Sequence, residues 1–114
     1  MSSTIIDLEN FRTKGSKVFT GRDRGIEVRE ASKIDALSKD YEKVVIRIPK
    51  DIMSINPSFL EEFLTNVAIR EGRENFMKKV KFESESTRYN IAVDLDEAID
   101  RILRTENALS KKQS

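Results

Sequence analysis

The side chain best placed for chemistry in this sequence is Ser58, in the run Asn56-Pro57-Ser58-Phe59. The run follows an apolar stretch and opens a helical one, so the hydroxyl stands among backbone amides that lack partners within the helix. One reading is structural: Asn56 is the N-cap and Pro57 takes the first helical position, where its missing N–H costs nothing. In another, Ser58 itself caps, with Glu61 closing a Ser-x-x-Glu box. The same position also makes Ser58 a candidate phosphoacceptor. A phosphate there would meet free N–H groups and the positive helix end, and would add up to about −2 charge.

Arg22 and Arg24, in Gly21-Arg22-Asp23-Arg24-Gly25, offer planar forks that suit a phosphate or a partner carboxylate. The spacing lacks the glycine-rich cradle and lysine of a phosphate loop, so solvated arginines beside a glycine-shaped helix start are the competing reading. Paired acids occur at Glu61-Glu62 and Asp94/Asp96. Adjacent helix residues do not face each other, so the glutamates diverge and do not form a hydrolytic pair. The chain has no cysteine, histidine or tryptophan. Metal sites built on Cys or His, thiol nucleophiles and histidine-based triads are excluded, and no resident cofactor or catalytic residue is expected.

The 114 residues suit one compact domain, expected over 1–106 with a polar tail at 107–114. Lys plus Arg is 21 and Asp plus Glu is 20, so no global field of the kind a dedicated nucleic-acid binder carries is present. One basic bias runs from Arg70 to Lys81, where Arg70, Arg73, Lys78, Lys79 and Lys81 face only Glu71 and Glu74. It motivates an alternative reading, a nucleic-acid-associated accessory protein using that edge, although Phe76 alone supplies no stacking platform. No apolar run exceeds three residues and the N-terminus has no signal-peptide pattern, so a cytoplasmic protein without membrane spans is expected.

The elements that must position these residues alternate. Ile5, Ile6 and Leu8 predict a first strand, Asn10 to Lys17 a turn, and Val18-Phe19 a short strand pairing back. Thr20 is the expected cap of a helix reaching about Lys39. Val44, Ile46 and Ile48 alternate with Val45 and Arg47 in the clearest strand, which Pro49 ends. Leu60, Phe63, Leu64, Val67 and Ala68 form an amphipathic stripe in a helix from Pro57 to Glu71, with Gly72 as the positive-φ exit. Val80 and Phe82 predict a further strand, and Ser86 to Glu106 a last helix. The predicted class is α/β: a small mixed, partly parallel sheet of about four strands with three helices. In such sheets function gathers where strand ends meet helix starts, here Lys50 to Ser58.

Two stretches then carry a family likeness. Phe19-Thr20-Gly21-Arg22-Asp23-Arg24-Gly25 running on to Val28-Arg29, and VVIRIPKDIMSINPSFLEEFL from Val44 to Leu64, resemble the bacterial and phage STAS-like domain family of unknown function. More distantly the chain is similar to the STAS domains of anti-sigma-factor antagonists. The likeness covers about Phe19 to Phe82. It implies a non-enzymatic regulatory module whose protein partner is a histidine-kinase-like ATPase, with ATP belonging to that partner. It further implies Ser58 as phosphoacceptor and Asn56, Pro57, Ser58, Phe59, Glu62, Arg22 and Arg24 as partner-binding residues. Where STAS proper carries Asp-Ser-Ser-Gly or similar, this chain has Asn56-Pro57-Ser58-Phe59, without the acidic neighbour or the glycine.

Overall fold

A computed structural model describes residues 2–84 and 89–113. Strand β1 (Ser3–Asp7) leads through a 3-10 turn (Leu8–Phe11) and a loop to strand β2 (Val18–Phe19). Helices α1 (Arg22–Ser32) and α2 (Ile34–Asp40) precede strand β3 (Lys43–Ile48) and the short strand β4 (Ser54–Ile55). Helix α3 (Pro57–Lys79), strand β5 (Val80–Ser84) and helix α4 (Ala92–Gln113) complete the chain.

The class is α/β, and every strand pairing is parallel. β3 lies between β1 and β5 in one sheet, while β2 and β4 form a separate two-stranded ribbon. The single mixed sheet expected from sequence is therefore two parallel ones, with five strands and four helices among the described residues. Val18-Phe19 does not pair back on β1. It pairs forward with Ser54-Ile55, because Met53 N–H donates to the Lys17 carbonyl and Asn56 N–H to that of Phe19.

Alternation sorts the larger sheet. Val44, Ile46 and Ile48 are buried in register with Val80 and Ile6, whereas Val45 and Arg47 on the opposite side are half-buried. Two right-handed crossovers advancing in one direction put their helices on one face of a sheet. The helices cover the Val44–Ile46–Ile48 side, leaving Ile5 on the other side 53% exposed.

α3 is the organising helix, packed between α1 and α4. Phe59, Leu60, Phe63, Leu64, Val67 and Ala68 are all fully buried, so the predicted stripe faces the core. Each large side chain of this kind contributes about 1.5–3 kcal/mol by leaving water.

Several boundaries move for identifiable reasons. Gly21, at φ 93, precedes α1 in the cap position and no side chain caps it, so Thr20 is not the cap. Lys33, left-handed at φ 59, splits the expected long helix into α1 and α2. The positive φ at Gly72 is found, but helix resumes beyond it to Lys79, burying Phe76. The start expected for the last helix at Ser86 lies outside the described residues. α4 begins at Ala92, whose N–H donates to the Asn90 side chain, and its helical backbone runs on through the stretch read as a tail.

Candidate docking face on the first turns of α1 and α3

The β2–β4 ribbon decides the site. Its parallel pairing delivers the chain to the start of α1 and the start of α3 side by side, so the Gly21–Gly25 and Asn56–Glu62 stretches become neighbours. Contact between the two helices is close. A Cβ on Gly25 would sit 2.5 Å from the Phe59 carbonyl oxygen and 2.9 Å from Glu62 Cβ. Arg29, one turn further, donates from its guanidinium to the Glu62 carbonyl at 2.6 Å.

At the start of α3 the amides are already engaged. Ser58 N–H donates to Asn56 Oδ1 at 2.8 Å, the N–H groups of Phe59 and Leu60 donate to the Asn56 carbonyl, and Pro57 has none. Asn56 is thus the N-cap and Pro57 the first helical residue, as the structural reading of the sequence has it; the Ser58 box with Glu61 does not form. The orphan amides expected to receive a phosphate are taken. Ser58 itself is half-buried, and its hydroxyl has no hydrogen-bond partner among the described residues.

The residues expected to meet a partner separate into two groups. Arg22, with its side chain 58% exposed, reaches Glu61 at 3.4 Å and shares a groove with Glu62. Ser58, Glu62, Thr65 and Ile69 recur at helical spacing and so share one face of α3, and Glu61, expected to diverge from Glu62, lines the same groove. Asn56 and Pro57 stand at its head. Phe59 and Arg24 belong elsewhere. The Phe59 ring is fully buried between Phe19 and Phe63, at centroid distances of 5.2 and 5.7 Å, and offers nothing to a partner. Arg24 turns away, donating to the Phe11 carbonyl and pairing with Glu27 at 2.8 Å.

Four residues build this face in roles that the sequence reading did not give them: Glu61, Gly25, Tyr89 and Arg101. Glu61, 12% exposed, receives Arg22 from α1 and Arg101 from α4 at 3.3 Å, tying three helices through one carboxylate. Tyr89 donates to Asp94 at 2.7 Å and lies 3.2 Å from the Ile55 carbonyl, joining the start of α4 to β4. Burial first, and then the Asp94 bond, pushes the Tyr89 hydroxyl well above the usual phenol range and keeps it a donor. Gly25 had a readable signal, a glycine inside a helix with no turn to make. Arg101 and Tyr89 had none for this role, because Glu61 and Ile55, the partners that tie α4 to α3 and β4, lie 40 and 34 positions away.

The groove bounded by α1, α3 and α4 measures about 320 Å³ and is lined by Arg22, Glu61, Glu62, Thr65, Ile69, Ile102, Thr105 and Glu106. The basic edge is differently disposed. Arg70 pairs with Glu71 and donates to Ser38, Arg73 pairs with Asp96 and Asp100, Lys78 pairs with Glu74, and Lys79 donates to the Tyr41 carbonyl. Among the described residues no cluster of three metal-binding side chains occurs, and no helix is long and apolar enough to cross a membrane. In comparisons with known proteins, no family model, curated protein or solved structure matches this chain.

Proposed function

We propose that this chain is a STAS-like regulatory module that works by docking a protein partner on the first turns of α1 and α3, without catalysis of its own. One observation carries the reading. The two stretches on which the family resemblance rests, distant in sequence, form one surface through the β2–β4 pairing and the Gly25–Phe59 contact. The partner is a histidine-kinase-like ATPase, which supplies ATP and phosphorylates Ser58.

The occupied amides change how such a phosphate acts. With no orphan N–H to receive it, the added charge stands one turn from Glu61 and Glu62 and switches docking by repulsion. Arg22, bonded to Glu61 only at 3.4 Å, is the nearby cation free enough to respond. The basic edge supports the nucleic-acid reading less well, since Arg70, Arg73, Lys78 and Lys79 are engaged within the chain.

The test is co-purification with histidine-kinase-like ATPases from the same source, then incubation with ATP and mass mapping. Docking predicts that the parent holds the ATPase while Ser58→Glu releases it at an unchanged melting temperature. Retention by Ser58→Glu equal to the parent defeats the docking assignment. Phosphate found on Ser54 or Ser84, or no mass gain at all, removes Ser58 as the acceptor.

A further inference from the structure

We infer that β5 is a dimerisation edge, at which two copies of this chain pair β5 antiparallel with β5, Phe82 opposite Phe82. The assignment goes beyond the docking reading, which concerns the first turns of α1 and α3. β5 pairs with β3 on one side, and among the described residues no strand pairs with its other side. Val80 N–H donates to the Phe76 carbonyl at the end of α3, so Val80 turns its backbone groups away from β3. Successive residues of a strand point their N–H and C=O to opposite sides, so Phe82 presents both groups outward as Val80 does. Phe82 and its counterpart in a second copy can then exchange two hydrogen bonds, as a hydrogen-bonded antiparallel pair does.

Charge decides the occupant. Lys81 and Glu83 are both exposed on the open face of the sheet, in register with Val45 and Arg47. Lys81 has no ion pair or hydrogen bond among the described residues, and Glu83 has a long contact to Arg47 at 3.8 Å. Pairing centred on Phe82 sets Lys81 opposite Glu83 of the second copy, and Glu83 opposite its Lys81. Both are non-hydrogen-bonded pairs, the kind whose side chains approach more closely. A lysine on an edge strand ordinarily deters pairing. Here the residue two positions on supplies the answering charge, and it does so from an identical strand run antiparallel under a two-fold axis. In-register parallel pairing sets like charge against like. β1, the other edge strand, has no such match, since an antiparallel pair centred on Ile5 sets Asp7 against Ser3. On the opposite face of β5, Phe82 lies half-buried beside a hollow of about 260 Å³ lined by Met77, Ile91, Ala92 and Leu95, with Met77 42% exposed. The two Phe82 side chains meet on this face, so pairing covers apolar surface as well as backbone.

Sedimentation equilibrium of the full chain, over micromolar to millimolar concentrations, reads the association. The parent should form a reversible dimer that weakens as salt rises. Lys81→Glu and Glu83→Lys each place two like-charged pairs across the axis and should each weaken the dimer about tenfold. Their melting temperatures should stay near that of the parent, because both side chains are exposed. Mixed in equal amounts, the two single variants answer each other's charges and should associate as tightly as the parent. The double exchange Lys81→Glu, Glu83→Lys should dimerise with itself, and it carries the test should a single variant unfold. A parent that stays monomeric, single variants that dimerise like the parent, a mixture no tighter than its components, or a double exchange that stays monomeric overturns the assignment. A dimer lost in Ile5→Ser yet intact in Lys81→Glu belongs to the open sheet face and overturns it equally. Ser58→Glu should leave the association unchanged, so the dimer and the docking face stand or fall separately.

Discussion

Gly25 and Phe59 meet where α1 crosses α3, so closely that a methyl group on Gly25 would lie 2.5 Å from the Phe59 carbonyl oxygen. The obstacle is backbone, which cannot swing aside as a long side chain does. Gly25→Ala gains about 1 kcal/mol in helix propensity, while overpacking costs about 1–3 kcal/mol. Net destabilisation is expected, read as a lower urea midpoint. A variant more stable than the parent would show that the crossing is looser than described.

Phe63 tests the phase of α3. It is fully buried and stacks on Phe59, so Phe63→Ala should cost about 3–5 kcal/mol. Denaturant unfolding measures this directly. A loss under about 1 kcal/mol, the range of surface sites, contradicts its central place.

Asn56 tests the capping assignment. Its side chain holds Ser58 N–H at 2.8 Å on an exposed helix start. Removing that acceptor in Asn56→Ala should lower stability by about 1 kcal/mol, while Asn56→Asp should retain most of it. An Asn56→Ala variant as stable as the parent would return the cap to Ser58.

The turn after β1 supplies a pH prediction. Arg12, with its side chain 10% exposed, clamps Asp51 at 2.7 Å, and that hydrogen bond holds the Asp51 carboxyl below its ordinary value of 3.8. A carboxylate whose pKa is lowered by folding stabilises the fold above the unfolded value. The contribution is lost as pH falls through the lower, folded value. The melting temperatures of parent and Asp51→Asn should therefore differ most above about pH 5 and converge in stronger acid. A gap that does not change with pH would mean that the ionised form of Asp51 contributes nothing.

Local physics made much of this legible in the sequence. The alternation in Val44–Ile48, the i, i+3, i+4 stripe of α3, the Asn-Pro helix start and the positive φ at Gly72 all depend on residues within a few positions of one another. All four are found in the structure. Two of the misjudged helix limits were also local, but the evidence was ambiguous: Lys33 has no residue signature for its left-handed φ, and Thr20 is as good a cap on paper as Gly21 is in place.

By itself, then, the sequence determined the α/β class, the central strand, the core face of α3 and the lack of any cysteine or histidine chemistry, because composition and short-range periodicity suffice for these. Tertiary structure alone decided that β2 pairs with β4, that Phe59 points inward and that Glu61 joins Arg22 to Arg101. Each of these joins residues roughly 35–40 positions apart. Such contacts form only when the whole chain offsets the entropy of closing those loops, and no window of residues small enough to read for periodicity contains both partners.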